Sequence, residues 1–187
     1  MLILIVLLPL LGFFSGSLFG RYLGWGTCYT TTGSVLSSLL LSIYLLHDVV
    51  STGVTYKLTM GSWIVVDSLH IDWSFCFDSL TSIMLIVVTF ISTLVHLYST
   101  EYMEFDPHLP RFMSYLSLFT FFMLILITAN NFLQMFVGWE GVGLSSYLLI
   151  NFWFTRIQAN KAAIKAMLVN RVGDFALLLA IFAIYFV

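Results

Sequence analysis

The chain has 187 residues, of which 60% are hydrophobic and only 9% are charged, and its formal net charge is −2. Soluble domains carry about 25% charged residues, so the composition excludes a soluble globular protein and predicts a chain solvated by lipid. No basic patch is present, which excludes a nucleic-acid-binding protein. The two cysteines and four histidines are scattered, and because none has a metal-ligand spacing we expect no disulfide, no metal site and no cofactor-binding site.

About six stretches are long and apolar enough to be membrane spans, each of which needs about 20 residues. They predict an all-α integral membrane protein, a single membrane domain over residues 1–187, with spans near Leu2–Gly20, Cys28–Leu46, Ser79–Tyr98, Phe112–Thr128, Phe132–Phe152 and Ala162–Val187. The N-terminus has no positive n-region and no cleavage site, so the first span is expected to be retained. Asn130 and Asn131 separate the fourth and fifth spans, which predicts that these helices are antiparallel neighbours.

The longest loop, residues 48–78, lies between the second and third spans. Aromatic and β-branched residues alternate there with polar ones, which predicts a short β-hairpin on the membrane surface. Trp63 and Trp73 are suited to the membrane interface. Most Lys and Arg residues outside the spans follow odd-numbered spans, whereas this loop contains only Lys57. The positive-inside rule therefore places the N-terminus and the hairpin on the outer side of the membrane.

The most informative residue is Glu140, close to the middle of the fifth span, where a charge costs about 2.5–3.5 kcal/mol on insertion scales. At about 100° per residue, one helix face carries a polar stripe: Glu140, Gly143, Tyr147 and Asn151. The opposite face carries small residues that let another helix approach closely: Gly138, Gly141 and Ser145. A desolvated carboxylate in such a stripe is suited to taking up and releasing a proton. The alternative is that Glu140 only hydrogen-bonds a neighbouring helix.

Other polar residues in the spans are candidates for supporting roles. In the sixth span Arg171 and Asp174 are three residues apart on one face and are predicted to pair with each other. Such a pair either makes insertion tolerable or tunes Glu140. Lys165 is interpreted as a lysine that snorkels to the interface, with a relay as the alternative. His96, among hydroxyl residues of the third span, is either an interfacial residue at the inner end or a proton relay.

Two segments carry a resemblance to a known family. Residues 132–153, with Gly-Trp-Glu140-Gly-Val-Gly at their centre, and residues 158–174, which end in Asn-Arg171-Val-Gly-Asp174, closely resemble the fifth- and sixth-span motifs of NADH dehydrogenase subunit 5. Members of this family are antiporter-like membrane subunits of respiratory complex I. The segments that begin at Phe77, His96 and Pro110 fit the same family. The resemblance covers essentially the whole chain, and the residues of these motifs resemble the mitochondrial members of the family rather than the bacterial ones.

The resemblance implies a proton-translocating membrane-arm subunit of NADH:ubiquinone oxidoreductase, multi-pass in the mitochondrial inner membrane, with its N-terminus toward the intermembrane space. Glu140 would be the family's essential glutamate, and Arg171 and Asp174 would occupy its ion-pair positions, with Tyr147 as a further candidate relay. The chain would be part of an NADH:ubiquinone reductase (H⁺-translocating) but would hold no redox site. NAD, FMN, iron–sulfur clusters and ubiquinone would belong to other subunits. Its partners would be other membrane-arm subunits and lipid.

The family's subunits have more spans than this sequence, including a seventh-span lysine that partners the glutamate. We therefore expect no proton translocation by this chain alone. A split subunit, in which a second polypeptide carries the remaining spans, is favoured over a truncated fragment because the sequence ends at a membrane face. Two other functions stay open at this point: a subunit of a multi-subunit sodium/proton antiporter, and a structural scaffold of the membrane arm.

Overall fold

The computed structural model describes residues 2–66 and 69–186, and this part of the chain forms six α-helices and one antiparallel hairpin. In chain order the elements are α1 Leu2–Leu23, α2 Gly26–Thr52, β1 Tyr56–Val66, β2 Leu69–Phe77, α3 Ser79–Tyr102, α4 Leu109–Thr128, α5 Phe132–Ile150 and α6 Ile157–Phe186. The predicted helical membrane architecture and the hairpin between the second and third helices are confirmed. Asp67 and Ser68 of the predicted hairpin, Val187 of the predicted sixth span, and Met1 lie outside the described residues.

Among the described residues, five helices are long and apolar enough to cross a membrane: α1, α2, α3, α4 and α6. Helix α5 is not among them, because its 19 residues include Gln134, Glu140, three glycines and two serines, which dilute its apolar character. It nevertheless packs lengthwise between α4 and α6. Helix α5 is therefore part of the bundle formed with the apolar helices, and the same polar residues that weaken it as a span form the site described below.

Several helix ends are fixed by local chemistry. Helix α3 begins with a capping box, in which the Asp78 carboxylate accepts from the Thr81 N–H at 2.7 Å and the Thr81 hydroxyl accepts from the Asp78 N–H at 2.8 Å. Helix α2 ends at Gly53, whose φ of +67° is accessible to glycine without a side-chain clash. Helix α5 begins at Asn131, whose side chain accepts from the Gln134 N–H at 2.7 Å.

The bundle is built by α1 packing on α2 and α4, α2 on α3, and α4 on α5. A buried apolar cluster joins four of these helices to the hairpin: Ile5, Val6, Leu45, Val49, Phe75, Phe77, Leu85, Leu124 and Ile125. Hydroxyl groups also link neighbouring helices, as where Ser38 Oγ donates to the Ile5 carbonyl at 2.6 Å. Small and hydroxyl-bearing residues at such contacts are typical of helix packing in membranes.

The hairpin holds the turn between α4 and α5. Strand β1 pairs with β2 from Tyr56 opposite Phe77 to Val66 opposite Leu69. The Asn130 N–H donates to the Ser74 carbonyl at 3.3 Å, and the buried Gln134 side chain accepts from the Ser74 N–H at 3.0 Å. The predicted break at Asn130 is therefore confirmed, and these bonds fix where α5 begins.

Candidate functional site

One face of α5 is closed by α4. A Cβ atom added at Gly138 would lie 2.7 Å from backbone atoms of Leu126, and one added at Gly141 would meet the Phe122 ring. Ser145 is buried on the same face, and its hydroxyl donates to the Gly141 carbonyl at 2.8 Å. The predicted small-residue face is confirmed. This close approach fixes the rotation of α5 about its axis, so that the polar stripe of α5 faces α6.

Glu140 forms an ion pair with Arg171 of α6. Arg171 Nη1 donates to both carboxylate oxygens of Glu140, each at 2.6 Å. The Glu140 side chain is 29% exposed and the Arg171 side chain 52%. A cavity of about 170 Å³ beside the pair is lined from both helices, with Gly143, Tyr147 and Asn170 in its wall. Tyr147, one of the predicted candidate relays, thus lines the same cavity as Glu140.

The predicted Arg171–Asp174 ion pair is not formed. Asp174, which is only 8% exposed, instead accepts a hydrogen bond from Trp139 Nε1 of α5 at 2.9 Å. Within the described part of the chain, Arg171–Glu140 is the only salt bridge. The spacing of Arg171 and Asp174 did place both on one face of α6, but that face is turned toward α5. There, Arg171 pairs with the Glu140 carboxylate and Asp174 accepts from the Trp139 indole N–H, so each has a partner on the other helix.

The remaining predicted residue of the sixth span lies apart from this cluster. Lys165 is exposed and is not part of the wall of the cavity beside Glu140. Trp139, in contrast, was missed as a site residue. It comes one position before Glu140 and so lies within about 100° of the polar stripe, and this was the signal that its N–H could reach a polar group of a neighbouring helix. In residues 2–66 and 69–186, no group of three or more His, Cys, Asp or Glu side chains could hold a metal ion.

His96 is buried between α3 and α4, at 1% exposure, and its interpretation as an interfacial residue at the inner end of the span stays a prediction. Its Nδ1 lies 2.7 Å from the Ser92 carbonyl, which can only accept, so Nδ1 carries hydrogen and donates. Its Nε2 lies 3.2 Å from Ser117 Oγ of α4, and Ser92 Oγ lies 2.6 Å from Thr120 Oγ1. These hydroxyls recur every three or four residues. The structure therefore places His96 in a polar cluster separate from the Glu140 cavity, and its role as a relay stays a prediction.

Two family models match the chain. Residues 63–113 match the N-terminus of chain 5 of NADH-ubiquinone oxidoreductase (complex I), and residues 129–187 match the transmembrane model of NADH:quinone oxidoreductase and Mrp antiporters. The second match contains Glu140, Arg171 and Asp174. Both charged contacts between α5 and α6 therefore fall within a segment that is shared by these two classes of membrane protein.

The chain is also similar to curated proteins along almost its whole length. It is 56% identical over 187 residues to NADH-ubiquinone oxidoreductase chain 5 of Phytophthora infestans, covering 100% of this chain and 28% of that one. The wheat (Triticum aestivum) chain 5 is 60% identical over 186 residues, 99% of this chain and 28% of that one. The chain 5 of Metridium senile is 55% identical over 186 residues, 99% and 31%. The chain thus spans less than a third of the length of these relatives.

A solved structure has the same fold. A chain of the membrane-bound sulfane sulfur reductase, an archaeal respiratory membrane complex, superimposes with a TM-score of 0.77, covering 91% of this chain and 34% of that one. The sequence identity is 18%, so this similarity concerns the fold alone.

Proposed function

We propose that this chain, which belongs to the NADH-ubiquinone oxidoreductase chain 5 family, forms the N-terminal spans of a proton-translocating membrane-arm subunit of respiratory complex I. The observation that carries the proposal is the Glu140–Arg171 ion pair at the α5–α6 interface. Intramembrane carboxylates are rare and mark ion or proton pathways. In this proposal Glu140 takes up and releases the proton, and NAD, FMN, iron–sulfur clusters and ubiquinone are held by other subunits.

The charge balance of the cluster supports a proton-exchanging role. The cluster contains two carboxylates, Glu140 and Asp174, and one cation, Arg171, which pairs with Glu140. Fully ionised, the cluster would hold one more negative than positive charge, and a charge removed from water without an ionic partner is expensive. Uptake of one proton removes this excess. This charge balance supports the proposed exchange of a proton at Glu140.

The proposal is tested by replacing Glu140 with glutamine in the assembled complex. Gln keeps the size and a hydrogen-bond acceptor for Arg171 but cannot exchange a proton, so we expect fewer protons translocated per electron, with assembly largely intact. Glu101→Gln, at an exposed carboxylate near the end of α3, is the matched control and should leave the ratio unchanged. An unaltered proton-to-electron ratio and unaltered turnover in the Glu140→Gln complex would contradict the proposal.

Two rival functions have distinct outcomes. A subunit of a sodium/proton antiporter is compatible with the segment 129–187, but the match of residues 63–113 and the named relatives favour complex I. Co-purification of the chain with iron–sulfur subunits supports complex I, and co-purification with antiporter subunits alone supports the rival. Wild-type activity in a Glu140→Ala complex would favour a structural scaffold.

The surface of α6 supports a proposal about partners. Of its 30 described residues only Ala163, Asp174 and Ile181 are buried, and its main packing partner is α5. The relatives are more than three times as long as this chain. We propose that the remaining spans of the subunit pack on the exposed side of α6. Cross-linking of the intact complex followed by mass spectrometry tests this, since the absence of any cross-link between Lys165 of α6 and another span of the subunit would refute it.

We further propose the mitochondrial inner membrane as the location, with the N-terminus and the hairpin facing the intermembrane space. The basic residues at the opposite ends of the helices support this orientation, because positive charges are retained on the inner side. A membrane-impermeant amine reagent applied to mitoplasts should modify Lys57 of the hairpin and spare Lys161 at the start of α6. The reverse pattern would refute the orientation.

A further inference from the structure

In the described part of the chain two hydrogen-bonded side-chain pairs join α5 to α6, and their α5 members are adjacent residues. Glu140 accepts from Arg171, and the preceding Trp139 donates its indole N–H to Asp174 Oδ1 at 2.9 Å. We propose that Trp139 is a positioning residue: it holds Asp174 against α5 and thereby reserves the Arg171 guanidinium for Glu140. This inference rests on the proposed role of Glu140 as the proton-exchanging group.

The argument starts from competition for one guanidinium. Arg171 and Asp174 are three residues apart on α6, about 4.5 Å along the axis, which is the spacing at which opposite charges on a helix pair. Arginine binds carboxylates strongly, so Asp174 is the natural competitor of Glu140. The contact with Trp139 gives Asp174 another donor. Without that donor, the Asp174 carboxylate, only 8% exposed, would have Arg171 as the nearest way to satisfy its oxygens.

The indole is suited to this role for two reasons. Its N–H can donate but not accept, so it can hydrogen-bond a carboxylate but not a guanidinium, which also only donates. The residue is 51% exposed in this chain, so its side chain is not part of the buried core of these six helices. A polar contact made by a half-exposed Trp between two helices therefore acts mainly on the group that it contacts, which is Asp174.

The cluster accordingly has two arrangements. In the one observed, Asp174 is bound by Trp139 and Arg171 is bound by Glu140. In the other, Arg171 turns to Asp174, the indole N–H is released, and Glu140 loses this cation in a partly desolvated place, which favours uptake of a proton. Trp139 sets the balance between the two arrangements, and this balance governs when Glu140 binds its proton.

The test uses a carbodiimide, which reacts with protonated carboxyl groups in apolar surroundings, on the assembled complex, with labelling of Glu140 quantified by peptide mass spectrometry. Trp139→Phe keeps an aromatic ring and removes the N–H. We expect Glu140 labelling to rise about fivefold, the change in ratio that follows from losing one hydrogen bond of ordinary strength. Trp153→Phe is the control, because Trp153 Nε1 also donates to an aspartate, Asp106, at 3.2 Å but outside the cluster. It should leave Glu140 labelling unchanged.

A double variant separates positioning from packing. In an Asp174→Ala background the competitor is gone, so adding Trp139→Phe should change Glu140 labelling no further. An equal rise in both backgrounds, or no rise in the single variant, overturns the proposal. Should Trp139→Phe fail to assemble, Asp174→Asn provides the second reading. The Asn side chain still offers an acceptor to the indole but no longer carries the competing charge. Glu140 labelling should therefore be no higher than in the wild type, and labelling above the wild-type level overturns the proposal.

The labelling experiment is independent of the role of Glu140 in pumping. If Glu140→Gln leaves the proton-to-electron ratio unchanged, the proposed function fails, yet the effect of Trp139 on Glu140 labelling can still be present. If Glu140→Gln lowers the ratio while Trp139→Phe leaves labelling unchanged, only the positioning role fails.

Discussion

Substitution of Gly138 by alanine should separate α5 from α4. The added Cβ atom would lie 2.7 Å from the Cα and N atoms of Leu126, and 2.8 Å from its Cβ. Carbon atoms in contact prefer about 3.5–4.0 Å, so one helix has to move away by close to 1 Å. The obstacle is backbone of a packed helix, which cannot change rotamer to make room.

The size of the effect follows from this geometry and from a control on the same helix. Overpacking a tight contact costs about 1–3 kcal/mol. Gly143 carries the same residue type in α5, but a Cβ atom there would have only Asn170 Nδ2 nearby, at 3.9 Å, which is ordinary contact. Gly143→Ala should therefore be neutral or stabilise by up to about 1 kcal/mol through helix propensity. Because Gly138→Ala gains the same helix propensity, the two variants are expected to differ by the overpacking cost alone, about 1–3 kcal/mol.

The measurement is the thermal stability of the detergent-solubilised complex, together with the amount of assembled complex on a native gel. Gly138→Ala should lower both, and Gly143→Ala should lower neither. Because Glu140 lies on the same helix, the displaced α5 should also weaken the contact with Arg171 and raise carbodiimide labelling of Glu140. Equal stability of the two alanine variants would refute the idea that the small-residue face of α5 sets its distance from α4.

Two further predictions concern the hairpin and its junctions. Asp78→Ala removes the acceptor that starts α3 and should cost about 1 kcal/mol, seen as a lower melting temperature, whereas Asp78→Asn should cost less; equal losses would contradict the capping role. The Tyr56 hydroxyl donates to Asp48 Oδ2 at 2.7 Å, and this hydrogen bond, with partial desolvation, raises the pKa of Tyr56 above its ordinary value of 10.0. The contact is therefore fully present below pH 10.0 and lost as pH rises through the raised pKa. Tyrosinate absorbance should show a late transition that Tyr56→Phe removes and Asp48→Asn moves to lower pH; a Tyr56 transition at or below 10.0 would contradict it.

Features that depend on one helix alone could be predicted from the sequence. The angular position of Gly138 relative to Glu140 is set by the helix period, and the structure places these residues on the faces that the period gives. The hairpin was equally accessible, because alternation of side chains is a local signal. The ends of the helices were harder to predict from the sequence. Apolar character declines after Leu46, but α2 continues to Thr52, since hydropathy reports the fit to lipid whereas Gly53 ends the helix.

Contacts between helices could not be predicted in the same way, and the partner of Arg171 is the clearest case. The i, i+3 spacing correctly shows that Asp174 can reach the guanidinium, but it contains no information on what the next helix presents. That depends on the rotation of α5, which is fixed by the approach of Gly138 to α4 on the far side. The choice of Arg171 between two carboxylates is therefore decided partly at the α4–α5 contact, away from any charge. A substitution that changes this packing should alter proton binding at Glu140 without touching a charged residue.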